Sequence, residues 1–138
     1  MLKKILAFDY GKARIGIATG QTLTRTASPV TTINSINGKP NWKEIEDIIK
    51  KWRPNEIVVG LPVDMHGEFT DSTKAAQAFG EELANRVNKP VHFVDEKLST
   101  REARWRLESM TGKTTRHLKV DAMAACIILE TWMSMEPS

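Results

Sequence analysis

A chain of 138 residues, 41% apolar and 27% charged, has room for one domain with a real core and too little for two ordinary ones. No apolar run approaches the roughly 20 residues that span a bilayer. The strand that opens almost at Met1 leaves no room for a signal peptide, so the expectation is a soluble, cytoplasmic protein with no membrane partner. A net charge of +3 permits a nucleic-acid partner without requiring one.

Lys3 to Gly11 reads as an apolar strand with an acid, Asp9, where burial of an unpaired carboxylate is costly. Gly11-Lys12-Ala13-Arg14 is a tight polar turn into a second strand, Ile15 to Gly20, which places Asp9 near the open end of a hairpin, facing solvent, a ligand or a metal. Thr24 to Ile36 is a third strand, and Pro29 inside it points to a sheet edge. Asn41 caps a helix in which Ile45, Ile48, Ile49 and Trp52 recur at helical spacing until Pro54. Glu56 to Pro62 is a continuous apolar run, the mark of a strand covered on both faces.

The polar loop Asp64 to Glu68 carries His66, which reads as a solvated side chain rather than a ligand. A helix from about Ser72 to Asn88 buries Ala76, Phe79, Leu83 and Val87, and Pro90 follows it. Val91 to Glu96 is the fifth strand; its terminal acids, Asp95 and Glu96, point to opposite faces by alternation. Ser99-Thr100-Arg101-Glu102 is a capping box opening a third helix to about Glu108, and Met110 to Lys119 reads as a basic loop. The last helix, Val120 to Met133, is apolar nearly all round, with Asp121 in its first turn and Cys126 as a buried structural thiol. The order β-β-β-α-β-α-β-α-α describes one α/β domain over 1–138, a five-stranded mixed sheet flanked by helices.

Several chemistries are absent. Gly11 to Gly16 has glycines at phosphate-loop spacing but lacks the Lys and Ser or Thr that must follow. No Gly-x-Ser-x-Gly elbow and no Cys/His zinc spacing occur. What remains is acidic: Asp9, Asp95 and Glu96, and Asp121. Taken singly, each is explained by a turn, a cap or a helix dipole. Together they gather where ligands collect in open α/β sheets, and carboxylates so clustered repel unless a cation holds them. A hard, oxygen-seeking ion, Mg²⁺ or Mn²⁺, suits that set.

Ala7-Phe8-Asp9-Tyr10-Gly11 with Arg14 to Ala18, then Ile57 to Pro62, Asp95-Glu96-Lys97-Leu98-Ser99-Thr100, and Lys119-Val120-Asp121-Ala122, in this order, resemble the YqgF family of RNase H-like nucleases, also called Holliday junction resolvase-like. The resemblance spans nearly the whole chain. It implies an RNase H-like fold and a nuclease that matures the 5′ end of pre-16S rRNA in ribosome biogenesis. It also implies that Asp9, Glu96 and Asp121 are the catalytic, metal-binding acids, with Asp95 in reserve for the middle ligand. One or two Mg²⁺ or Mn²⁺ ions would orient water and stabilise the leaving oxygen.

On the same reading Lys12, Arg14, Arg101, Arg104, Lys113, Arg116 and Lys119 hold backbone phosphates. Trp105 and His117 are candidates to stack on an unpaired base, with helix packing the favoured role for Trp105. Junction resolvases of this fold place a further acid three residues beyond the last-helix acid, where this chain has Ala124, which weakens the case for a second metal and for junction cleavage. The expected partner is structured RNA, with DNA junctions as an alternative, and the expected state is a monomer or weak homodimer. Two other functions compete: a catalytically silent nucleic-acid-binding factor, and an actin-like nucleotide binder, which needs a second domain that the length denies.

Overall fold

The computed structural model describes residues 2–64, 66–96 and 117–135. These form β1 (Lys4–Tyr10), β2 (Arg14–Gln21), β3 (Thr26–Asn34), α1 (Trp42–Trp52), β4 (Glu56–Pro62), α2 (Asp71–Arg86), β5 (Val91–Glu96) and α3 (His117–Met135). The strands make one sheet in the order β3-β2-β1-β4-β5. Short turns join β1, β2 and β3, so those pairs are antiparallel. Helical crossovers join β3 to β4 and β4 to β5, and β1, β4 and β5 run parallel. The structure is an α/β sandwich of the RNase H-like class, as expected.

Alternation along the strands sorts the core into two faces. Leu6, Phe8, Ile15, Ile17, Ile57 and Val59 pack under Ile45 and Ile49 of α1 and Phe79 and Leu83 of α2. Ile5, Ala7, Val58 and Val94 meet Ile128, Leu129, Trp132 and Met133 of α3 on the other side. Each fully buried Ile, Leu or Phe contributes roughly 1.5–3 kcal/mol, so the layers are fixed by sums that no single polar contact outweighs.

Local chemistry sets the ends of the helices. The Asn41 side chain accepts from the Glu44 N–H at 3.2 Å, and Arg53, at φ 49°, turns the chain out of α1 through the left-handed region. Thr70 and Thr73 form a reciprocal cap on α2, and the buried Thr73 hydroxyl also donates to the Pro62 carbonyl, tying α2 to the end of β4.

Pro29 does lie in the edge strand, where the β2–β3 register shifts between Ile17 and Ala18. β5 is an outer strand, with Phe93 36% exposed, whereas β4 is covered on both faces as expected. One expectation changes. The last helix begins at His117 rather than Val120, which takes residues 117–119 out of the basic loop and puts Asp121 beyond the first turn. Its carboxylate is therefore poorly placed to complement the helix dipole. The helix expected from Ser99 to Glu108 lies outside the described residues. Among the described residues no helix is long and apolar enough to cross a membrane.

Candidate active site

Asp9 follows Ile5 and Ala7 along the α3 face of β1. It pairs with Gly16 of β2, and Tyr10 with Ile15, so it stands beside the turn that closes the hairpin rather than at the open end. On its other side the β1–β4 register, with Phe8 against Val59, runs on toward Gly60. Both flanking positions are glycine for a steric reason. A Cβ on Gly16 would stand 2.0 Å from the backbone oxygen of Asp121. A Cβ on Gly60 would stand 2.3 Å from Glu96 Oε2 and 2.4 Å from Ile128 Cδ1. The start of α3 thus rests on β2 at one side of Asp9, and the Glu96 carboxylate lies over β4 at the other.

This convergence gives Asp9 its electrostatics. Its carboxyl is pushed well above the ordinary 3.8, first by burial, then by the negative charge of Glu96, then by that of Asp121. Asp121 has a cationic neighbour: Arg14 Nε donates to Asp121 Oδ2 at 2.7 Å, joining the first residue of β2 to α3 across 107 residues of sequence. The pair is partly solvated, the Arg14 side chain 34% and the Asp121 side chain 19% exposed.

Among the described residues no three His, Cys, Asp or Glu side chains are gathered closely enough to hold a metal ion together. The donor set still fits a hard cation. It consists of carboxylates, one of them desolvated and repelled by the other two, and the charge that raises Asp9 is the charge a divalent ion offsets.

The other sequence candidates fall as follows. Asp95 is exposed on the opposite face from Glu96. Lys12 is exposed in the turn after β1. Arg14, read as a phosphate contact, is on Asp121. His66 is in the loop, where its backbone N–H donates to Asp64 Oδ1 at 2.8 Å. Ala124 is fully buried in a cluster with Ala18, and Cys126 is a buried thiol. Lys97, Arg101, Arg104, Trp105, Lys113 and Arg116 lie outside the described residues, as do the side chains of His117 and Lys119. Sequence reasoning passed over Gly16 and Gly60 as site-shaping positions. The available signal was a glycine inside a strand, which marks a close approach by another group.

The family described as "RuvX: Holliday junction resolvase" matches residues 3–135. A protein of Francisella tularensis subsp. novicida named "Putative pre-16S rRNA nuclease" is 54% identical over 97% of this chain and 98% of its own length. A like-named protein of Francisella philomiragia is 52% identical over the same shares. Among solved structures, Thermus thermophilus RuvC in complex with a Holliday junction substrate superposes with a TM-score of 0.55 at 12% identity, covering 96% of this chain and 94% of that one. Fowlpox virus resolvase with Holliday junction DNA gives 0.54 at 13% identity, covering 95% and 97%. At such identities these two likenesses speak for the fold alone.

Proposed function

The chain belongs to the RuvX family, described as Holliday junction resolvase, and from that footing we propose that it is a metal-dependent nuclease that hydrolyses phosphodiester bonds. Its substrate on this reading is the 5′ end of pre-16S rRNA, its place the cytoplasm, and residues 1–138 its single nuclease domain. The observation that carries the reading is the buried Asp9 carboxyl, raised by Glu96 and Asp121 from two other elements. A fold gains no stability by placing like charges together in a desolvated site, and perturbed carboxylates of this kind mark chemistry.

Asp9, Glu96 and Asp121 are the residues that would hold one or two Mg²⁺ or Mn²⁺ ions. Such an ion, when bound, activates water near neutral pH and offsets charge on the leaving oxygen. Gly16 and Gly60 hold the three carboxylates at their spacing, because any side chain there would displace α3 or Glu96. Lys12, exposed beside the site, steers the phosphate backbone toward it. The remaining basic residues, Arg101, Arg104, Lys113, Arg116 and Lys119, extend that role along the substrate.

The test is a cleavage assay on a precursor-rRNA fragment and on a four-way DNA junction, each with Mg²⁺, Mn²⁺ or EDTA, beside Asp9→Asn. Metal-dependent RNA cleavage that the substitution abolishes supports the proposal; cleavage of the junction alone moves the substrate to DNA. One specific observation favours a second reading, the silent binding factor: the carboxylates do not close into a three-ligand cluster, and Arg14 engages Asp121. That reading predicts nucleic-acid binding that survives Asp9→Asn, with no cleavage under any metal.

A further inference from the structure

Arg14 stands between two uses of its charge. It opens β2, directly after the exposed turn residues Lys12 and Ala13, on the side of the sheet where Asp9 ends its apolar row. A guanidinium there is permanently charged and shaped for bidentate phosphate binding. Yet its Nε is on Asp121 Oδ2, the carboxylate assigned to the metal. The contact is partly solvated on both sides, and ion pairs of that kind are weak and readily exchanged.

Resting on the nuclease reading, we propose that Arg14 is an exchangeable counter-cation of the carboxylate site. It neutralises Asp121 while no divalent ion is bound, leaves when one binds, and then contacts a backbone phosphate of the nucleic acid. The physical ground is competition for one charge. A divalent ion on Asp121 repels a guanidinium on the same carboxylate, and a phosphate that the ion helps to bind offers the guanidinium another anion. Metal and nucleic acid are thereby coupled: each makes room for the other, and the coupling is reciprocal. Arg14 thus acts both as a place-holder on the metal ligand and as a substrate contact.

The experiment titrates Mn²⁺ by calorimetry into the wild-type chain, Arg14→Gln and Arg14→Lys without nucleic acid. It also measures a fluorescein-labelled RNA hairpin by anisotropy in Ca²⁺, a hard ion of the same charge, across a salt series. A neighbouring charge moves the proton affinity of a carboxylate by about ten- to a thousandfold. Partial solvation puts Arg14 at the low end, so Arg14→Gln should bind Mn²⁺ about tenfold tighter, and Arg14→Lys within about threefold of wild type. Arg14→Gln should also bind the hairpin more weakly, with a salt slope shallower by about one.

Unchanged or weaker Mn²⁺ binding in Arg14→Gln overturns the exchange and leaves Arg14 as a positioning partner of Asp121. Unchanged hairpin binding overturns the phosphate contact. Failure of the wild-type chain to bind Mn²⁺ at all overturns the metal site itself, a separate result. Thermal unfolding confirms that the variants are folded, and Arg14→Lys keeps the charge should Arg14→Gln not fold.

Discussion

Asp9 and Glu56 lie on the same face of adjacent parallel strands, at opposite ends of the sheet, and burial pushes both carboxyls upward. Their neighbours then part them. Glu56, 9% exposed, receives Lys3 Nζ at 2.8 Å and His92 Nε2 at 2.5 Å, and the His92 ring lies 5.3 Å from that of Trp132. Hydrogen bonds and positive charge from Lys3 and His92 outweigh the burial and hold Glu56 below its usual 4.5. Asp9 meets Glu96 and Asp121 instead, and stays high. One end of the sheet closes a charge within the protein; at the other, Asp9 meets two carboxylates, of which Asp121 has Arg14 as a partner.

The sharpest way to break this comparison is Asp9→Asn. Cleavage should fall about a thousandfold, because an amide in place of the carboxylate weakens the hold on the divalent ion proposed there. The metal-free unfolding midpoint at pH 7 should hold or rise, because repulsion is removed. A drop of several degrees would make Asp9 a structural acid like Glu56. Next in size is Gly16→Ala, whose Cβ meets α3 backbone that cannot rotate away. It should cost about 2–3 kcal/mol in urea unfolding and reduce cleavage by displacing Asp121.

Glu56→Gln is the control at the other end. Lys3 and His92 are each about two-fifths exposed and recover water, so the loss should be about 1 kcal/mol with cleavage unchanged. A pH series separates the two ends by sign. Glu56, depressed when folded, adds stability above its unfolded 4.5 that disappears as pH falls through its folded value. Asp9, raised when folded, binds protons more tightly in the native state, so it removes stability as pH climbs above 3.8 toward its folded value. Metal-free Asp9→Asn should therefore gain on wild type as pH rises, and Glu56→Gln should approach wild type as pH falls; thermal melts from pH 3 to 8 read both. The smallest effect is Lys12→Ala: stability within about 0.5 kcal/mol, and a salt slope for RNA binding shallower by about one.

Much of this was legible along the chain because it is local. An acid in an apolar strand, a proline in the edge strand, an asparagine before a helical apolar period and a buried run over Glu56 to Pro62 each carry their physical reason within a few residues. Alternation alone separated Asp95 from Glu96, and register then put Glu96 over Gly60 on the face that Asp9 shares. The apolar run points to a start at Val120 because His117 to Lys119 look polar in sequence, whereas the helix extends a polar first turn ahead of that run.

What the sequence by itself determined is the order of elements, the face each side chain takes and the identity of the anomalous acids, since these follow from periodicity and from the cost of burying charge. What only the tertiary structure decided is which charges meet. Arg14 with Asp121, Glu56 with His92, and the two glycines that admit α3 and Glu96 beside Asp9 join residues far apart in the chain. Whether a buried carboxylate is relieved or repelled depends on those distances, because charge interactions fall off with separation in space and are indifferent to separation along the backbone.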